Sequence, residues 1–104
     1  MFIVAKHGGK VVGYGAVLRV LDEGNLISIA VTEKFRNMGI ASEILDILCE
    51  LCTKEGVSDI YLEVRKSNEA AIALYTKEGF KKTGERRGFY DKPKEDAWLF
   101  AKEL

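Results

Sequence analysis

The run Arg36-Asn37-Met38-Gly39-Ile40-Ala41 stands where an apolar, extended stretch ending at Val31 gives way to a helical pattern. A strand-to-helix turn of this kind points several unpaired backbone N–H groups at one spot and adds the positive end of a helix. It can hold a phosphate without many lysines. Gly39 lets the backbone approach an anion closely, Ala41 keeps that surface small, and Arg36 can add charge-assisted contacts. The chemistry implied is pyrophosphate binding. An ordinary helix start, whose glycine merely relieves crowding, is the alternative that a single glycine leaves open.

Two other spacings invite chemistry and do not support it. Cys49-Glu50-Leu51-Cys52 has the spacing of a redox pair or half a zinc site. It falls inside a helical apolar pattern, there is no second cysteine pair, and the one histidine is the distant His7, so core packing is expected and no metal. Gly13-Tyr14-Gly15 resembles the first half of a dinucleotide fingerprint. Position 18 is leucine, however, and the segment continues as a strand.

The elements that must position these residues follow from periodicity. Residues 1–6 and 11–21 are apolar and β-branched, joined by His7-Gly8-Gly9-Lys10, which supplies the positive-φ residues of a tight hairpin. The Asp22-Glu23-Gly24-Asn25 turn leads to a third strand, Leu26 to Val31. Ile40, Ile44, Leu45, Ile47, Leu48, Leu51 and Cys52 recur at helical steps, predicting a helix from about Gly39 to Glu55 that Gly56 stops. Asp59 to Arg65 reads as a strand. Ser67-Asn68-Glu69 caps a second helix ended by Gly79, and two final strands, to Tyr90 and from Ala97 to Ala101, flank a turn holding Pro93. Strand-helix-strand order in the middle implies parallel pairing there, with hairpins at both ends. The fold class is α+β with a mixed sheet and two main helices.

Composition narrows the partners. One domain is expected from 104 residues, 47% hydrophobic and 31% charged. Sixteen basic residues balance sixteen acidic ones, which argues against nucleic acid or an anionic membrane as the default partner. No apolar stretch approaches the roughly 20 residues of a membrane span, and Met1-Phe2-Ile3-Val4 lacks the order of a signal peptide, so a cytoplasmic location is expected.

Taken together the motifs carry a resemblance. Arg36-Asn37-Met38-Gly39-Ile40-Ala41 is similar to the Arg/Gln-x-x-Gly-x-Gly/Ala signature of the GNAT acetyltransferase superfamily. Leu62-Glu63-Val64-Arg65-Lys66-Ser67-Asn68, Ala71-Ile72-Ala73-Leu74-Tyr75, Gly79-Phe80 and the tail Arg86-Arg87-Gly88-Phe89-Tyr90 with Glu95-Asp96-Ala97 resemble its ribosomal-protein alanine N-acetyltransferase (RimI-type) branch. The resemblance implies a GNAT-like sheet with a V-shaped splay, N-terminally shortened because the first strand and first two helices of a typical member have no counterpart. Those helices form one wall of the acceptor cleft in the family. A second copy of the chain, a homodimer, could supply that wall, because the first strand is apolar and its edge open. Gly88-Phe89 also stands where close relatives usually carry Asn-Tyr.

The resemblance assigns roles. Acetyl-CoA is the co-substrate, its pyrophosphate on Arg36, Asn37, Met38, Gly39, Ile40, Ala41 and Ser42. Its pantetheine arm pairs with the backbone of Ile29, Ala30 and Val31 and meets the Asn68 side chain, and a Val31 N–H stabilises the developing oxyanion. Glu63 matches the general base, acting through water, and Tyr75 the acid that protonates the coenzyme sulfur. With Glu63 on a strand and Tyr75 about two turns into the next helix, both are expected to face one cleft. Tyr90 is the expected contact to the acceptor. A lysine needs about 3 kcal/mol more than an α-amine to become neutral at pH 7, so a lone carboxylate base favours a protein N-terminus over a lysine or a small-molecule amine. A non-catalytic acyl-CoA-binding module is the remaining alternative.

Overall fold

The computed structural model describes residues 1–104. Strands β1 (Phe2–His7), β2 (Lys10–Val20) and β3 (Glu23–Val31) form an antiparallel meander, followed by a 3-10 turn at Glu33–Phe35 and helix α1 (Ile40–Lys54). Strand β4 (Asp59–Arg65), helix α2 (Glu69–Lys77) and the hairpin β5 (Lys81–Tyr90) and β6 (Glu95–Glu103) complete the chain. The six strands make one sheet in the order β1-β2-β3-β4-β6-β5. Only the β3–β4 pair is parallel.

That parallel pair is short. Glu23, Gly24 and Asn25 pair with Asp59, Ile60 and Tyr61, and no further. Beyond Asn25 the two halves of the sheet splay apart, so the expected V is present and its two arms are β3 and β4. Strand β3 starts three residues before the expected Leu26: Glu23, Gly24 and Asn25 pair with Val20, Arg19 and Leu18 instead of forming the turn, which shrinks to Leu21 and Asp22. Strand β6 likewise extends beyond Ala97–Ala101 at both ends, because pairing with β4 carries it on to Glu103 and pairing of Glu95 with Tyr90 of β5 starts it earlier, at residues whose side chains carry no strand signal.

Both helices lie on one face of the sheet. Val17, Leu26, Ile60, Leu62 and Val64 from the strands meet Ile44, Leu45, Leu48 and Cys52 of α1 and Tyr75 of α2 in a single buried cluster. Helix α1 sits very close to β2. A Cβ placed on Gly15 would lie 2.6 Å from Ile44 Cγ2 and 2.8 Å from Leu48 Cδ1, so the glycine motif of β2 serves helix–sheet packing. Cys52 is fully buried and Cys49 half-buried, both free, and burial pushes both thiols up, as expected of packing residues. On the opposite face, Phe2, Val4, Ile27 and Tyr61 are exposed. No helix is long and apolar enough to cross a membrane.

Candidate active site

The splay opens a cleft of about 740 Å³ between the end of β3, the N-terminus of α1 and one side of α2. Of the residues expected to bind a cofactor, Ile29, Ala30, Val31, Arg36, Asn37, Gly39, Ile40, Ala41, Ser42 and Asn68 all line it, as does Tyr75. Met38 does not. Its side chain is two-thirds exposed and lines a separate apolar groove between β1 and α1.

The end of the cleft at the start of α1 is built from backbone. Gly39 is the N-cap of α1 at φ 79°, a left-handed conformation that glycine adopts without strain, and no side chain caps the helix. The first helical bond runs from the Glu43 N–H to the Gly39 carbonyl at 3.1 Å, so the N–H groups of Ile40, Ala41 and Ser42 have no partner within the helix. Arg36 Nε donates to the Val31 carbonyl at 3.1 Å. This anchors the guanidinium beside the cleft and leaves its terminal nitrogens to meet an anion. The Ser42 hydroxyl donates to Glu78 Oε2 at 2.9 Å, at the end of α2. Burial and a hydrogen bond to Asp46 raise the Glu78 carboxyl.

Along the arm of the V, the ladder decides which backbone groups face the gap. The Thr32 N–H bonds the Val12 carbonyl at 2.8 Å, and Gly13 and Tyr14 lie opposite Val31 and Ala30. By antiparallel alternation, Ala30 directs its N–H and C=O to β2, while Ile29 and Val31 direct theirs toward β4. A slender ligand in the gap can therefore add to β3 through Ile29 and Val31, whereas Ala30 contributes surface only. Facing it, α2 presents Ala70, Ala71, Ala73 and Leu74. Periodicity marked these small residues as helical without marking them as a cleft wall. Asn68 Oδ1 accepts the Ala71 N–H at 3.1 Å as the cap of α2, which fixes the amide so that its nitrogen is the donor available to a ligand.

The expectation that Glu63 and Tyr75 share one cleft needs correction. Leu62 and Val64 point into the core beside α2, and side chains alternate along a strand, so Glu63 projects from the opposite, exposed face and does not line the cleft. Tyr75 stands on the cleft side, its ring 5.7 Å from Phe80. Burial, then the neighbouring Tyr90, pushes its phenol up to about 12, so it holds its proton at neutral pH.

Tyr90 connects the two sides. It too is raised, first by burial and then by the Glu63 carboxylate, with Arg65 opposing. Glu63 thus lies on one face of the sheet and Tyr75 on the other, and Tyr90 is near enough to feel the charge of Glu63 and to act on Tyr75. Sequence reading missed the support for Tyr90. Arg65 lies with its guanidinium carbon 4.4 Å from the Tyr90 ring centre and pairs with Glu95 at 3.3 Å.

Comparison with known proteins places the chain in a family. The chain is similar to [ribosomal protein bS18]-alanine N-acetyltransferase of Escherichia coli strain K12, 39% identical over 97 residues that cover 91% of this chain and 66% of that protein. It is 43% identical to an N-alpha-acetyltransferase of Saccharolobus solfataricus over 79% of this chain and 49% of that one. The chain thus spans half to two thirds of the length of these relatives. The crystal structure of the Escherichia coli ribosomal-protein-S18-alanine N-acetyltransferase superposes with a TM-score of 0.93 at 35% identity, over 100% of this chain and 68% of that one. With the family model for acetyltransferases matching residues 1–80, the chain belongs to the acetyltransferase (GNAT) family.

Proposed function

We propose that this chain transfers an acetyl group from acetyl-CoA to an amine, and that the amine is the N-terminal α-amine of a protein. The observation that carries this reading is the cleft in the splayed sheet. One end offers the free N–H groups of α1 with Arg36, the middle offers the Ile29 and Val31 backbone, and the far end carries a protonated Tyr75. Those three zones suit, in order, a pyrophosphate, an extended amide-bearing arm and a thiolate leaving group. The names of the relatives point the same way.

The proposed chemistry balances simply. The neutral amine attacks the thioester carbonyl, forming the N–C bond, and the Val31 N–H receives the developing oxyanion. The C–S bond breaks, Tyr75 gives its proton to the departing sulfur, and Glu63 takes the amine's proton through water. Glu63 and Tyr75 on opposite faces fit this division, because acceptor and coenzyme then enter from opposite sides of the sheet. Mixing the chain with acetyl-CoA and Ala-, Ser- or Met-starting peptides should release free thiol, and Glu63→Gln should lower turnover by roughly 10²–10⁴-fold. Turnover only with metabolite amines or lysine side chains would replace the acceptor, and coenzyme binding without any transfer would leave a binding module.

A second reading concerns assembly and rests on the exposed Phe2, Val4, Ile27 and Tyr61 on the face that holds Glu63. A homodimer would cover part of that face and give the acceptor a second wall. Light scattering that returns the mass of one chain at high concentration would count against it.

A further inference from the structure

One guanidinium holds together the part of the site that lies outside the coenzyme cleft. Arg65, the last residue of β4, donates from Nη1 to the Pro93 carbonyl at 3.1 Å and to Glu95 Oε1 at 3.3 Å, and from Nη2 to the Asp91 carbonyl at 3.3 Å. The same group covers the Tyr90 ring at 4.4 Å. Glu95 completes the tie by accepting the Ser67 N–H through Oε2 at 2.7 Å, where the chain turns toward α2. The Ser67 side chain is the leading reason that the Glu95 carboxyl is held below the usual range, with the Ser67 N–H and Arg65 adding to it.

An exposed ion pair alone contributes little. Here the planar fork engages two carbonyls, a carboxylate and an aromatic face at once, an arrangement a lysine cannot reproduce. Without it, the β5–β6 connection keeps two ties to the β4–α2 corner, the Glu95 bond from the Ser67 N–H and the Asp96 carbonyl bond from the Lys66 N–H at 3.1 Å, while Asp96 Oδ1 accepts the Gly88 N–H at 2.9 Å inside the hairpin. None of those bonds touches the Tyr90 ring, which would keep only its edge contact with Phe89, ring centres 5.0 Å apart.

We propose that Arg65 is a positioning residue for the acceptor. By stacking on Tyr90 and closing the β5–β6 connection onto the end of β4, it fixes the wall against which the amine meets Glu63. The assignment rests on the acetyl-transfer reading above. It also explains why a residue that touches neither the coenzyme cleft nor Glu63 makes so many contacts.

Kinetics on the intact chain provide the test. Arg65→Gln should raise KM for an Ala-starting peptide about tenfold and leave KM for acetyl-CoA within about twofold, because Arg65 does not line the cleft. In a Tyr90→Ala background the same change should add less than about twofold, the non-additivity expected of two residues acting through one contact. Losses of equal size in both backgrounds, or parallel rises in both KM values, would overturn the assignment in favour of a purely structural role. If the unsubstituted chain acetylates no amine, the transfer reading fails separately. Positioning is then read by NMR of ring-¹³C tyrosine, where Arg65→Gln should move the Tyr90 signal and its titration upward in pH. An unchanged Tyr90 signal would overturn the proposal.

Discussion

Tyr75 keeps its proton because of its surroundings. Burial against Phe80 and Phe100 removes the water that would stabilise a phenolate, and Tyr90 adds to the shift. The proton is therefore held at neutral pH and is available to a better base, such as a departing thiolate. Tyr75→Phe keeps the packing and removes the proton, so turnover should fall by roughly 10²-fold or more while coenzyme affinity, measured by calorimetry, stays within a few-fold. An equal loss of binding would show that the hydroxyl serves recognition instead. The same shift has a sign for stability. A group raised from 10 to about 12 on folding stabilises fully below pH 10. That stability is lost as pH rises toward 12, by at most about 3 kcal/mol. Denaturation midpoints for Tyr75→Phe should accordingly show a shallower decline between pH 10 and 12 than the unsubstituted chain.

The elements were largely legible where each has a single period. Strand β4 alternates core and exposed residues without a break, and α1 repeats its apolar side chains at three and four. That alternation, read strictly, already puts Glu63 on the face away from Leu62 and Val64, and expecting Glu63 and Tyr75 in one cleft overlooked it. What periodicity could not show were contacts across the fold. Gly24 reads as a turn residue, yet it sits in β3 because Val17, Val57 and Ile60 crowd its place. Arg65 and Glu95 lie 30 positions apart, and nothing local announces their pairing. Gly15 is the sharpest case: the sequence placed it in a strand and ruled out a nucleotide loop, but nothing local showed that its role is to admit α1. Gly15→Ala would press on Ile44 and Leu48, both buried. It should cost about 1–3 kcal/mol in urea denaturation and should loosen the start of α1, where the pyrophosphate is proposed to bind. A neutral effect would mean that α1 can slide outward without loss. Asn68→Ala tests the other helix: loss of its cap bond to Ala71 should cost about 1 kcal/mol.

At the scale of the molecule, the cleft is a joint between two half-sheets. Strands β3 and β4 share only three paired positions, so beyond them the halves are held by the core cluster rather than by a ladder. A ligand in the gap touches both sides at once, with β3 and α1 on one side and α2 on the other. Such a ligand binds the folded chain alone, so it must stabilise it by mass action, about 2.7 kcal/mol at a concentration 100-fold above its Kd. For a chain of 104 residues that corresponds to a rise of roughly 10–20 °C in Tm. Coenzyme A should give this shift by calorimetry. S-acetyl-pantetheine, which has the arm and the thioester but no pyrophosphate, should give much less at equal concentration, because the N–H groups of Ile40, Ala41 and Ser42 and the Arg36 guanidinium would have nothing to bind. Equal shifts from the two compounds would show that the arm alone accounts for the affinity and that the glycine turn at Gly39 is only a helix start.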